Sequence, residues 1–153
     1  MYHPWRHLRS LAAWTVRWAS PLSGSRGECH WATKTITLDP RLLQAERRSV
    51  LAHELEHVDR GPMPGWARSR EEEAVNALAA RKLIEIRELG EALAWSLDPH
   101  EVADELWVDV PTVEARLRHL HPSEVHYLRR RLAAFDGPEV TYAHQAQHAR
   151  DPR

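Results

Sequence analysis

Two histidines four residues apart, with a glutamate directly after the first, form the motif His53-Glu54-Leu55-Glu56-His57. On an α-helix this spacing places both imidazoles on one face, one turn apart, close enough to hold a single ion. Glu54 sits on the flank of that face, where its carboxylate can take a proton from a water activated by the ion without occupying a coordination position itself. Glu56 lies on the opposite flank and reads as a solvent-exposed charge. Zn²⁺ suits the motif, because it lowers the pKa of its water to about 7 and polarises a peptide carbonyl as a Lewis acid. Three protein ligands and one open position describe a catalytic zinc site, so a third ligand has to come from elsewhere in the chain.

The acidic run Glu71-Glu72-Glu73 opens a second helical pattern and offers that ligand. Glu72 shares a face with Val75, Asn76, Ala79, Leu83 and Ile86, whereas Glu71 and Glu73 fall at its edges and read as favourable charge at a helix N-terminus. A carboxylate on an inward face is costly unless paired or bound to metal, which favours Glu72, although Glu71 and Glu73 compete for the role. Asn76, one turn on, can orient a ligand through its side chain. His144 and His148 are also four apart, but no glutamate follows His144 and their surroundings are polar. The scattered His3, His7, His30, His100, His119, His121 and His126 read as surface or hydrogen-bonded residues.

The elements that must position these groups follow from periodicity. A short helix over Pro4–Leu11 precedes β-like segments at residues 14–18, 28–31 and 34–38, which make a small antiparallel sheet with Thr33–Leu38 as an edge strand able to pair with an extended peptide. A helix from Arg41 to Val58 carries the histidines and stops at Gly61-Pro62. A second long helix runs from Trp66 or Ala67 to Leu89 and is ended by Gly90. Three shorter helices follow, over Pro99–Leu106, Pro111–Leu120 and Pro122–Phe135, each with a proline at its start. The fold class expected is α+β: a small antiparallel sheet packed on the histidine helix and a second ligand-bearing helix, followed by a helical appendage. Residues 1–90 form the catalytic core, residues 91–135 a three-helix unit, and residues 136–153 a polar, mobile tail. The tryptophans, among them Trp14, Trp18, Trp31, Trp66, Trp95 and Trp107, read as core or interface anchors.

Composition narrows the partners. The formal net charge is −1, and residues 90–153 hold 7 Arg and no Lys against 11 Asp and Glu, leaving 14 basic and 11 acidic residues in residues 1–89. Nucleic-acid binding usually needs a basic excess, and none exists here. Cys29 is the only cysteine, so an intrachain disulfide and a thiolate zinc cluster are both excluded. No stretch approaches the roughly 20 apolar residues that a bilayer crossing requires. A cytoplasmic protein without a membrane partner is the expectation.

The stretch Ile36-Thr37-Leu38-Asp39, the run Glu46-Arg47-Arg48-Ser49-Val50-Leu51-Ala52-His53-Glu54-Leu55-Glu56-His57, and the segment Glu72 through Ile84 together resemble the ImmA/IrrE family of metallo-endopeptidases. The resemblance covers roughly residues 30–90. It implies a gluzincin-like site with His53, His57 and a glutamate as zinc ligands, Glu54 as general base, and a regulatory protein, often a transcriptional repressor, as substrate. It also implies an association with phages, mobile elements or stress responses. The chain departs from the family in carrying Asn76 where an Asp is common.

A rival reading comes from the C-terminal unit. Glu101 to Val108 followed by Pro111 to Leu117 resembles a helix-turn-helix, with Ala103, Val108, Val113 and Leu117 at its packing positions. Its second helix offers Glu114 beside Arg116 and Arg118, and Trp107 stands in the turn where Gly is usual, so a packing or substrate-docking unit is favoured over a DNA reader. Arg129-Arg130-Arg131 alone would give only weak, salt-sensitive phosphate binding. A zinc-binding interaction module that does not cleave is the third reading.

Overall fold

The computed structural model describes residues 1–135; the tail and the His144/His148 pair lie outside the described residues. Helix α1 (Pro4–Ser10) leads into strands β1 (Thr15–Trp18), β2 (Gly27–His30) and β3 (Thr35–Leu38). The sheet order is β1-β3-β2. The α+β class holds, but the sheet is mixed rather than antiparallel: β2 pairs antiparallel to β3, whereas β1 runs parallel to it with Thr15 opposite Thr35. Burial explains the order. Ile36 and Leu38 are fully buried and Thr37 nearly so, while β1 is mostly exposed, so β3 takes the centre, where both faces are covered. The expected edge strand Thr33–Leu38 is therefore the middle strand, and the free edges belong to β1 and β2.

Helix α2 (Gln44–Arg60) lies on this sheet and buries Val50, Leu51 and Leu55 against Ile36, Leu38 and Leu42. Its N-terminus sits three residues later than expected, where Glu46 reaches back to accept the backbone N–H of Leu43 at 2.7 Å. Gly61, at φ 86, ends it as expected.

The second long helix is two. A short 3-10 turn (Gly65–Ala67) opens into α3 (Arg68–Leu83), the chain becomes extended at Ile84, and α4 (Ile86–Trp95) begins with Glu85 capped by Glu88. The break is stable because buried side chains take over the freed carbonyls. Arg116 Nε donates to Ile84 O at 2.9 Å, and Arg48 donates to Leu83 O at 3.5 Å. Gly90 is not a stop but lies inside α4, where a Cβ would come within 3.1 Å of the Tyr127 ring; the glycine permits close packing of the last helix.

Helices α5 (Pro99–Leu106), α6 (Val110–Arg118) and α7 (Pro122–Ala133) complete the described chain, with Asp98, Asp109 and His121 as N-caps. They share one hydrophobic cluster with the core helices, in which Val102, Val108, Val113 and Leu128 meet Ala52, Ala79, Leu83 and Ile84. Trp107 adopts the left-handed conformation at φ 53 in the turn between α5 and α6. The adjoining carbonyls of Leu106 and Trp107 accept from Arg48, whose guanidinium lies 6.0 Å from the Trp107 ring. Helix α6 packs along α3 and buries Val113, Ala115 and Arg116, so one face of the would-be recognition helix is committed to α3.

Trp18, Trp66, Trp95 and Trp107 remain exposed by 46%, 86%, 67% and 54%, which leaves these four the interface role rather than the core one. Glu56 is not a solvated charge: it is buried and ion-paired to Lys82, which also holds Asp59. No helix among the described residues is long and apolar enough to cross a membrane.

Candidate metal centre

Helices α2 and α3 run antiparallel, since Arg60 meets Glu71, His53 meets Asn76, and Arg48 meets Leu83 along their length. This register brings the histidine face of one helix against the first turns of the other. His53 Nε2 and His57 Nε2 stand 3.1 Å apart, and Glu72 presents one carboxylate oxygen 3.3 Å from the first and the other 3.2 Å from the second. His53, His57 and Glu72 are the group among the described residues whose donor atoms converge so as to hold a metal ion.

His53 Nδ1 donates to Asn76 Oδ1 at 2.9 Å, which turns Nε2 toward His57 and Glu72. Burial works against a charge on His53, but the Glu72 hydrogen bond and the Glu54 and Glu72 charges outweigh it and raise the pKa. Burial, reinforced by nearby His53, lowers that of His57. Two imidazole nitrogens and a carboxylate this close form a ligand set that could hold a metal ion.

The three glutamates have different partners. Glu71 is the most buried of the three and is taken by Arg60 in a two-pronged pair at 2.7 and 2.9 Å. Glu73 pairs with His119 at 3.0 Å. Glu72 alone turns to the histidines, and its side chain is 44% exposed because it faces an open cleft. Inward burial was the wrong criterion for choosing it: the buried carboxylate is the structural one.

The cleft, of about 610 Å³, is walled by α2, α3 and β2, and α6 closes its far end. Glu54 lines it, with a buried carboxyl that burial pushes up from its ordinary pKa against the opposing pull of His53. Strand β2 lies directly over it. A Cβ on Gly27 would stand 2.5 Å from Val50 Cγ1 and 2.9 Å from Glu54 Oε1, so only glycine lets the strand approach this closely. The adjoining Cys29 thiol donates to Glu54 O at 3.3 Å, and burial together with the Glu54 charge drives its pKa well up, so it remains a thiol rather than a competing thiolate ligand. Gly27→Ala is expected to cost about 1–3 kcal/mol, because Val50 is stiff and packed. Urea unfolding checks this, and an unchanged midpoint would mean that β2 moves off α2 freely.

Sequence reasoning did not find Gly27, the Arg60 and His119 partners, or the wall contributed by α6. A single glycine before a strand, or an arginine 11 residues from its glutamate, carries no local signal. Of the tryptophans, Trp31 lines the cleft. Among the described residues no tyrosine lines it, and its arginines are Arg26, which is paired to Asp109, and Arg68 in the first turn of α3.

No family model matches the chain, and no curated protein or solved structure matches it either.

Proposed function

We propose that the chain is a zinc-dependent endopeptidase that cleaves a specific cytoplasmic regulatory protein, such as a transcriptional repressor, in the manner of the ImmA/IrrE metallo-endopeptidases it resembles. The observation that carries this reading is the convergence of His53, His57 and Glu72 on one point of an open cleft with Glu54 beside them. With one ligand atom taken from each residue, the three lie within 4.8 Å of one another, close enough for small side-chain shifts to bring them onto one ion. The chemistry supplied by the ion when bound is Lewis acidity, which polarises a peptide carbonyl and acidifies water.

The chain's own groups supply the rest. His53, His57 and Glu72 hold the ion, and Asn76 fixes the tautomer and ring orientation of His53. Glu54 accepts the proton of the attacking water and passes it to the leaving amine; its raised pKa brings it nearer the range in which a carboxylate can do both. Strand β2, an edge of the sheet that lines the cleft, aligns an extended substrate by main-chain pairing, the role expected above of residues 33–38. Arg68 lines the cleft and its charge bears on Glu72, which makes it the candidate cation for charge developing on the carbonyl oxygen.

The test is elemental analysis of the dialysed protein, followed by incubation of the zinc-loaded form with a large peptide pool read by mass spectrometry. About one zinc per chain and cleavage confined to a narrow set of sequences, abolished by chelation and restored by zinc, are expected. Protein without zinc overturns the reading. Zinc with every peptide intact would make the chain an interaction module, and sequence-selective DNA binding at low salt would return α5 and α6 to the rival function.

A further inference from the structure

The cleft has a direction. Strand β2 runs beside α2 from Val50, where Gly27 makes its close approach, to Glu54, whose carbonyl accepts from the Cys29 thiol. Antiparallel pairing is the more stable kind, and a substrate that adopts it on β2 runs from Gly61 and Met63 across the triad, with its C-terminal side toward Ser49 and Val50. The room on that side is short. Val50 precedes His53 by less than one turn of α2, about 4.5 Å, the span of about one or two residues of extended chain.

At that end Arg26 and Asp109 meet across the cleft at 2.7 Å. Asp109 is spent. It is buried at the N-terminus of α6, its carboxylate also takes the Thr112 N–H at 3.1 Å and the Thr112 hydroxyl, and its own N–H donates to Ser49 Oγ at 3.0 Å. Arg26 is anchored but not spent. Its side chain is 45% exposed, Asp109 is its carboxylate partner among the described residues, and the guanidinium fork keeps N–H donors beyond that contact. Glu28, the nearest carboxylate in the chain, leaves β2 on the face opposite Gly27 and Cys29, with His30 at 3.7 Å.

We propose that Arg26, held in place by Asp109, is a specificity-determining residue that reads a carboxylate about one or two residues to the C-terminal side of the scissile bond. A guanidinium accepts an aspartate or glutamate side chain and the terminal carboxylate of a chain in the same two-pronged way. The turn that resembles a DNA-reading unit thereby serves the cleft, by fixing Arg26 through Asp109. Both residues lie outside residues 30–90, so the preference is this chain's own and not one that the resemblance implies. The inference rests on the zinc-peptidase reading, and the two can fail separately.

The experiment uses zinc-loaded protein and thiol probes, measured by calorimetry. The thiol takes the metal, and the residues after it occupy the C-terminal side of the cleft: mercaptoacetyl-Ala-Ala as the free acid and as the amide, and the amides of mercaptoacetyl-Glu-Ala, mercaptoacetyl-Ala-Glu and mercaptoacetyl-Ala-Lys. At least one carboxylate compound is expected to bind about tenfold or more tightly than the neutral amide, with the lysine compound no tighter than that amide. Preference for the free acid alone makes the ligand a chain end, and preference for a glutamate compound makes it an acidic side chain. Arg26→Gln is expected to bring the preference to within about twofold of none, whereas Arg131→Gln, which removes the same charge from α7, keeps it. Equal binding of acidic and neutral compounds by the wild type, or an unchanged preference in Arg26→Gln, overturns the role of Arg26 and leaves the metal reading standing. Failure of every thiol to bind overturns the metal reading and this inference with it. The wild-type ranking stands as a test even if Arg26→Gln does not fold.

Discussion

His53→Ala and Glu72→Gln are each expected to reduce zinc from about one per chain to near none after dialysis, while Glu54→Gln keeps its zinc and loses roughly 10²–10⁴-fold in peptide cleavage. The separation follows from geometry. Each of the first two removes one of three residues whose ligand atoms lie within 4.8 Å of one another, whereas Glu54 lines the cleft outside that triad. Glu71→Gln and Glu73→Gln serve as controls, because Arg60 and His119 already hold those carboxylates, and both variants should stay loaded. Asn76→Ala should fall between, with metal affinity lowered about 10–100-fold, since it frees the His53 ring without removing a ligand. Zinc retained by His53→Ala would put the ion elsewhere, and full cleavage by Glu54→Gln would remove the general base.

The largest effect on stability is expected away from the site. Arg116 is almost fully buried where α6 meets the α3–α4 break, held by Glu124 at 2.7 and 3.1 Å and by Ile84 O. The Arg116 hydrogen bonds, aided by the His121 N–H and opposed by burial, pull the Glu124 pKa from 4.5 down to about 2. A carboxyl depressed in the folded state stabilises the protein fully above its unfolded pKa, and that contribution is lost as pH falls from about 4.5 to about 2. Its size is about 3 kcal/mol. Glu124→Gln should therefore be less stable than wild type by about this amount at pH 7, with the two converging near pH 2. Asp39 is also depressed to about 2 by Arg41, so the difference between the two proteins, rather than the wild-type curve alone, isolates Glu124. Urea unfolding at pH 7, 4 and 2 is the measurement, and a constant gap across that range would rule out the pair as its source.

The zinc test and the stability test probe parts of the chain that were not equally legible. The histidine pair, Glu54 and the place of Asn76 were readable from helical spacing, because a fixed 3.6-residue turn converts sequence separation directly into a shared face. The α+β class and the boundaries of α5 were readable for the same reason, helped by Asp98 and Pro99 at the helix start. Strand order was not: which strand takes the centre depends on burial from both faces, and alternation alone does not reveal the second face. The break at Ile84 was also invisible locally, since it is stabilised by Arg48 and Arg116, 35 and 32 residues away in the chain. The choice among Glu71, Glu72 and Glu73 shows the same division. By itself, the sequence determined that a helix would present two histidines and a glutamate to one side, because that is local geometry. Which carboxylate completes the triad, which strand covers Glu54, and which helix closes the cleft were decided only by tertiary packing, because each depends on what a distant arginine, histidine or glycine does with the same space.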